Sequence, residues 1–508
     1  MGKLQICITL TLLVFLVLGS NIIASADVKL LASDGAQDDW FSFSLSVHGD
    51  VALVGAYGDD DNGNVSGAAY VFRWNGSSWM QEQKLLPSDG AKGDKFGYSV
   101  SIWRDVALVS AHGNSENGRD AGAAYVFRWN GSSWVQEQKL LPSDPVEDVQ
   151  FGRPVSICGD VALVGDPGDY RNGGTGSGAA YVFRWNGSKW VEEQKLISSD
   201  IAGGDAFGGG LAVNGDVALV VASGDDDNGD HSGSVYVFRW NGSSWVEEQK
   251  FFPVDGTVFT VAISGDVALL GAPGDDGKDM SSGAAYVFRW NGSSWVQEQK
   301  LVASDGKQND SFGYSVSISG NWALVGARRD DDNGEDSGSA YVFRWNGSSW
   351  VQEQKLLPSD GAKLDFYGRS VAISGDKILV GAYLDDDKGN DSGSVYVYTL
   401  AEGAPLELSS VVITGPTELN ENSGAQFNCA AFYNDGTSAN VTNSATWSEN
   451  CSRARISNNG FFSTSLVWAN ESCSIAAAYG GKSGTHSVTI IDTGTMSMPW
   501  MPLLLLDD

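Results

Sequence analysis

The residues with the plainest chemical potential are four acidic loops spread through the chain: Asp59-Asp60-Asp61-Asn62-Gly63, Asp225-Asp226-Asp227-Asn228-Gly229, Asp330-Asp331-Asp332-Asn333-Gly334 and Asp385-Asp386-Asp387-Lys388-Gly389. Calcium takes roughly six to eight oxygens, and a glycine lets such a loop curl back around an ion. On that reading the ligands are Asp59, Asp61, Asp225, Asp227, Asp330, Asp332, Asp385 and Asp387, and calcium is the one cofactor implied. The loops lack a full Asp-x-Asp-x-Asp-Gly register, because Gly58, Gly224, Arg329 and Leu384 stand where the first ligand belongs. An exposed turn in which Asp and Asn bond their own backbone accounts for the same residues. The matching loops elsewhere are degraded to Asn114-Ser115-Glu116, Asp169-Tyr170-Arg171 and Asp275-Asp276-Gly277.

A second motif, Trp-Asn-Gly-Ser-Ser/Lys-Trp, recurs with its Asn at 75, 130, 186, 241, 291 and 346. Asn-Gly between two strands is a hairpin signal, and each copy also reads as an Asn-x-Ser glycosylation acceptor. The paired tryptophans, such as Trp74 with Trp79 and Trp129 with Trp134, either stack across the hairpin or present aromatic platforms to a sugar. Signatures of catalysis are missing: there is no His-Glu-x-x-His, Gly-x-Ser-x-Gly or Cys-x-x-Cys. The four histidines (His48, His112, His231, His486) stand in unrelated contexts. Acidic pairs are too common for one to stand out as a general acid and base. The expectation is a protein that is not an enzyme, with a cryptic hydrolase as the reading to exclude.

These motifs ride on a repeat. Tyr-Val-Phe-Arg-Trp-Asn-Gly begins at Tyr70, Tyr125, Tyr181, Tyr236, Tyr286 and Tyr341, and a seventh, truncated copy begins at Tyr396. The spacings are 55, 56, 55, 50, 55 and 55 residues, a period that marks a propeller or solenoid. Within the second unit the pattern predicts four strands: Tyr98 to Ile102, Val106 to Ala111, Ala123 to Trp129 and Trp134 to Leu141. Val-Ala-Leu-Val is apolar on both sides and belongs where both faces are covered, and the polar fourth strand belongs at the outer edge. The seventh unit stops after three strands at Leu400. Lys29-Leu30-Leu31-Ala32-Ser33-Asp34-Gly35 matches the fourth-strand ending Lys84-Leu85-Leu86-Pro87-Ser88-Asp89-Gly90. The fold expected is therefore all-β, a seven-bladed β-propeller over residues 27–400 closed by the N-terminal strand.

Composition narrows the compartment and the partner. Lys3, the apolar run Ile6 to Leu18 and Ala24-Ser25-Ala26 read as a secretory signal over residues 1–26, and no later segment is long enough to cross a membrane. A formal charge of −31 argues against nucleic acid and permits cation binding. Cys158 stands alone, whereas Cys429, Cys451 and Cys473 cluster near the C-terminus, where one disulfide suits an oxidising compartment.

Phe96-Gly97 followed by Val106-Ala107-Leu108-Val109 and a later Gly-Ala-Ala-Tyr-Val-Phe resembles the FG-GAP repeat of integrin α-subunit propellers. Phe151-Gly152, Phe207-Gly208 and Phe312-Gly313 repeat the opening, and Val54-Gly55-Ala56, Leu270-Gly271-Ala272-Pro273 and Val380-Gly381-Ala382 repeat the second half. The departures are Phe41-Ser42, Thr257-Val258 and Tyr367-Gly368. The calcium loop that the resemblance would place between the first two strands is here only Gly49-Asp50, Gly159-Asp160 or Gly265-Asp266, too short to wrap an ion. From 405 to 492, Phe432-Tyr433-Asn434-Asp435-Gly436-Thr437, Ala445-Thr446-Trp447-Ser448 and Ala478-Tyr479-Gly480-Gly481-Lys482 resemble bacterial immunoglobulin-like domains of surface adhesins. That resemblance implies a β-sandwich with Cys451–Cys473 as the first-choice disulfide, Cys429–Cys473 next, and a flexible tail over 493–508. Together the resemblances imply a secreted or cell-surface adhesion protein, monomeric, that presents propeller loops to an extracellular protein or glycan. The alternative is a lectin that uses Trp74, Trp79, Trp129 and Trp134.

Overall fold

The computed structural model describes residues 28–400 and 408–493, less 228, 230, 231, 254–256, 434–437, 443, 444, 480 and 481. The expected signal segment and C-terminal tail lie outside the described residues. The chain divides into two units, the first ending at Glu402 and the second running from Gly403.

The first unit holds seven four-stranded antiparallel sheets, the blades, each ordered first to fourth strand outward from a central axis. Blade 2 runs Phe96–Trp103, Val106–Ala111, Ala123–Trp129 and Trp134–Leu140. Val106–Ala111 is buried along its whole length because neighbouring blades cover both of its faces. One row of its side chains packs on blade 1, the other on blade 3. The same division gives seven inter-blade cores, one for each neighbouring pair around the ring. The outermost strand buries its ends and keeps a polar middle, so it closes the blade without a sticky edge.

Two glycines set how closely blades approach. Gly97 takes φ 88°, and a Cβ there would lie 2.1 Å from the Ala68 carbonyl oxygen of blade 1. On the facing strand, a Cβ on Gly55 would lie 1.9 Å from the Gly97 carbonyl oxygen. Phe-Gly of one blade and Gly-Ala of the preceding blade thus meet backbone to backbone, which only glycine permits. Ser42 holds the Gly97 position in blade 1 at φ 77°, with its hydroxyl buried and unpartnered.

The ring closes as the repeat requires. Val28–Leu30 pairs antiparallel with Ser394–Thr399 in the register Val28↔Val397, Lys29↔Tyr396, Leu30↔Val395, and so supplies the fourth strand of blade 7. Every blade thereby has four strands.

The second unit is also all-β. Glu418–Asn420, Lys482–Ile491, Glu471–Tyr479 and Thr446–Glu449 form one sheet, with the first pair parallel. Two three-stranded sheets accompany it, and Val411, Phe427, Trp447, Phe462, Ile475 and Ile490 share its core. One of these two sheets is built of the short strands Gly424–Gln426, Phe461–Thr464 and Ala454–Ile456. Cys451 and Cys473 are bonded, with Cα atoms 5.1 Å apart, and Cys429 is a buried free thiol.

Gly97→Ala is expected to cost roughly 2–4 kcal/mol, because positive φ and a backbone clash add. Ser42→Gly is expected to add about 1 kcal/mol by relieving positive φ and a buried hydroxyl. Urea unfolding of both variants measures the pair, and a stable Gly97→Ala protein would refute the close-approach argument.

Candidate functional site

The acidic loops sit at the ends of the second strands, and each meets a lysine from the outermost strand. Lys84 lies opposite Tyr70 in the blade 1 ladder. Its Nζ is 2.8, 2.7 and 2.6 Å from carboxylate oxygens of Asp34, Asp59 and Asp61. The Tyr70 hydroxyl lies 2.9 Å from Asp59 and 3.0 Å from Asp34 and donates into the same cluster. Lys250 repeats this with Asp200, Asp225 and Asp227 at 2.7, 2.8 and 2.5 Å. Lys355 does so with Asp305, Asp330 and Asp332 at 2.8, 2.7 and 2.6 Å. In blade 7 the closing strand provides Lys29, at 2.8, 2.8 and 2.7 Å from Asp360, Asp385 and Asp387. Where the loop is degraded the lysine keeps fewer partners: Lys139 holds Asp89 and Glu116, and Lys300 holds Asp275.

Burial alone would lower the Lys84 ammonium, but hydrogen bonds to its three aspartates carry it above its ordinary value. Burial would raise Asp200, yet Lys250 and Tyr236 hold it below the usual carboxylate range. Both shifts favour the charged pair.

In composition and distance, three of these triads could hold a metal: the oxygens of Asp34/Asp59/Asp61, Asp200/Asp225/Asp227 and Asp305/Asp330/Asp332 lie within 4.8 Å of one another. The lysine decides the fit. Calcium–oxygen distances of about 2.3–2.6 Å leave an ion and an ammonium competing for one position. As the side chains stand, the cluster fits its own lysine, and a metal enters only where that lysine withdraws. Each cluster pairs the expected Asp59/Asp61-type residues with two residues the sequence analysis missed, the fourth-strand lysine and the Asp34-type aspartate. Their signal was present: Gln-Lys and Ser-Asp each recur six times at the repeat spacing.

The tryptophan hairpins serve the blade interfaces. Trp129 and Trp134 face each other across the hairpin with ring centroids 5.9 Å apart, and Trp74 and Trp79 at 6.0 Å. Trp79 and Trp134 are buried. The Trp134 indole donates to Glu82 of blade 1 at 2.9 Å, and its backbone N–H donates to Gln83 at 2.8 Å. A β-bulge leaves Glu82 without a ladder partner, free to take both Trp134 and Arg73. The half-exposed faces of Trp74 and Trp129 are covered by Lys377 and Arg73 at 5.2 and 5.0 Å. The ring faces a sugar would stack on are already occupied.

Blade 3 departs from the pattern. Arg171 replaces the third acid and binds Asp169 at 2.6 Å. Beside it Asp166 is wholly buried, where the six other blades carry Ala56, Ala111, Ala222, Ala272, Ala327 and Ala382. Neither Asp166 carboxyl oxygen has a hydrogen-bond partner, and Arg171 comes no nearer than 3.8 Å. Burial, with Asp169 close by, pushes this carboxyl up to about 8.

A model of the FG-GAP repeat matches residues 25–72, 79–127, 134–183, 190–238, 245–288, 295–343 and 350–398. No curated protein matches the chain. Among solved structures, Sqt1 of Saccharomyces cerevisiae is 10% identical, with 82% of this chain and 98% of that one covered at a TM-score of 0.42. The β-propeller domain of Cps50 (Swd1) from Myceliophteria thermophila is 11% identical over 74% and 100%, at 0.47. A chain of the mitotic checkpoint complex is 12% identical over 79% and 98%, at 0.46. Likeness at this level says nothing about function.

Chelation is expected to leave the melting temperature of the native chain unchanged, and millimolar calcium to shift it by less than about 1 °C, since no vacancy awaits an ion. Lys250→Met is expected to lose about 1–3 kcal/mol, discounted for solvent, and calcium is expected to restore part of it. A calcium-driven rise of several degrees in the native protein would overturn the lysine assignment. Asp166 is neutral when folded and ionises more readily when unfolded. Its stabilising share is thus full below pH 4 and lost as pH rises to about 8. Asp166→Ala should remove that fall, read as urea midpoints at pH 5 and pH 8.5.

Proposed function

The chain belongs to the FG-GAP repeat family, and on that premise we propose an exported, non-enzymatic binding protein that presents one propeller face to an extracellular protein or glycan. The observation that carries this reading is how fully the repeated polar residues are spent on the fold. Lysine and aspartate bind each other within blades, while glutamate, glutamine and arginine hold the tryptophan hairpins of the next blade. Apart from Asp166, sealed in a blade core out of a substrate's reach, carboxyls with raised pKa recur in register instead of gathering at one place. Asp39, Asp310 and Asp365 are each pushed up to about 6 by burial, and each accepts a backbone N–H from its own turn. A feature repeated around the ring is a device of the scaffold; a catalytic acid would be a single exception.

Export draws support from the Cys451–Cys473 bond, which suits an oxidising compartment. Among the described residues no helix is long and apolar enough to cross a membrane. The second unit fits the role of an immunoglobulin-like spacer, with Trp447 in its core and its indole donating to the Thr442 carbonyl at 2.9 Å. Calcium-dependent binding would require the lysines to be displaced. A lectin acting through Trp74 and Trp129 draws no support from rings already covered by cations.

The test is to immobilise the full chain and expose it to arrays of extracellular proteins and glycans, with and without chelator, beside a hydrolase panel. Saturable binding that survives chelation, with no turnover, is the expected result. Turnover above background, or a folded protein that binds nothing on either array, would sink the reading.

A further inference from the structure

Repeats this similar make their differences informative, and two positions per blade vary freely. One is the residue after Phe-Gly, the other the residue after the Gly-Ala of the second strand. Both stand at the mouth of the axial channel, on the face that carries the acidic loops. In blades 6, 7, 1 and 2 all eight of these positions hold large side chains, among them Tyr314, Arg328, Arg369, Tyr383, Phe43 and Tyr98. In blade 4 they are only Gly209 and Ser223, which leave that side of the mouth open. The resulting cavity has a volume of about 420 Å³; Phe43, Tyr98, Tyr314 and Arg369 line it together with Arg153, Phe259 and serine hydroxyls, while Arg328 lies outside its wall, against Tyr314.

The two guanidiniums are held by ring faces. Arg369 lies 4.0 Å from the Phe43 centroid and 4.9 Å from that of Tyr314. Arg328 lies 4.0 Å from Tyr314 on another side. Phe43 in turn packs on Tyr98 at 4.9 Å and Tyr383 at 5.5 Å, so the stack is rigid. Face contacts leave the in-plane N–H edges of a guanidinium unused. Among the described residues neither arginine has a carboxylate within ion-pair distance or a side-chain hydrogen bond, and the Arg328 Nε is buried without a partner. The chain has 63 acidic residues against 32 lysines and arginines, and elsewhere it pairs its cations repeatedly. Two half-buried arginines left without counter-ions in such a protein repel each other and cost stability. An anion that enters the mouth would meet Arg369 and ease its repulsion with Arg328.

We propose that the mouth of the axial channel binds a saccharide carrying an oxyanion, a carboxylate or a sulfate, with Arg369 and Arg153 on its wall taking the charge. The exposed ring of Phe259 and that of Tyr98, neither covered by a cation, offer apolar surface to sugar C–H groups, and the serines meet its hydroxyls, whereas an acidic peptide side chain would use the arginines and waste the rest. Planar, preorganised guanidiniums suit bidentate recognition of either oxyanion. This assignment deepens the binding role proposed above and rests on it.

The test titrates the full chain by calorimetry with a trigalacturonate, a sulfated trisaccharide, a neutral trigalactose and a tetraglutamate peptide. At least one anionic saccharide should bind saturably, and the neutral sugar at least about tenfold more weakly. Arg369→Gln and Arg153→Gln should each weaken binding about tenfold or more, and Arg369→Lys, which keeps the charge without the fork, severalfold. Arg119→Gln, an equal charge change at an exposed Asp148 pair, should change affinity less than about twofold. If the arginine variants fail to fold, dicarbonyl modification of Arg369 in the native chain, read by peptide mass spectrometry, should be slowed by the saccharide. The carboxylate and sulfate arms tell the two oxyanions apart. No binding of either anionic saccharide, binding indifferent to both arginines, or preference for tetraglutamate would each overturn the proposal. Array binding that persists in Arg369→Gln would overturn the mouth site while sparing the binding role, and empty arrays would overturn both.

Discussion

A four-stranded blade of this sequence has two apolar faces and can cover neither alone. The stability of the first unit therefore resides between blades, where each second strand is shared by two cores. That sharing requires backbones to come close, and Gly97 and Gly55 show how close, since a single methyl on either would overlap a carbonyl oxygen. Everything else follows from this contact. It sets the inclination of one blade on the next, brings Glu82 and Gln83 under Trp134, and makes ring closure by Val28–Leu30 the only way to cover the last outer side.

The electrostatics answer a second constraint. Loops that curl at the end of each second strand collect aspartates for turn geometry, and three carboxylates then lie within one hydrogen-bonding distance of a common point. Such a cluster needs a cation. The repeat carries its own, a lysine placed opposite the buried tyrosine on the outermost strand. In blade 7 that lysine is Lys29, so the residue that neutralises the loop also fastens the closing strand. A tethered ammonium thus stands among the carboxylates where an exchangeable cation would otherwise balance their charge.

With the repeated residues committed to cohesion, individuality is confined to the places that packing does not constrain. The channel mouth is such a place, because side chains after Phe-Gly and Gly-Ala point into the axial space and touch no neighbouring blade's core. Tyrosine, phenylalanine and arginine accumulate there on one side, and glycine and serine on the other. Blade 3 shows the opposite case: Asp166 is a deviation inside a core, where the surroundings leave its carboxyl without a partner.

Much of this was legible in the residues. The period, the strand pattern, the closing match between Lys29-Leu30 and Lys84-Leu85, and the apolar Val-Ala-Leu-Val runs together specify a ring of seven sheets, because periodicity and two-sided burial are properties of the chain read along itself. The acidic loops were equally visible, but their meaning was not. Lys84 and Asp34 stand 50 residues apart and fall beside Asp59 only when the preceding connector folds over the blade. The tryptophans likewise read either as cross-strand packing or as platforms for sugar until Arg73 and Glu82 are seen to cover and bind them. The channel-mouth arginines escaped notice because Arg328 and Arg369 belong to different blades, and no local pattern joins them. Along the chain, spacing alone determined the architecture. Which charges neutralise one another, and which are left unpaired, was decided by the closure of the ring, since electrostatic partners are chosen by distance in space and the sequence orders residues only by distance along the backbone.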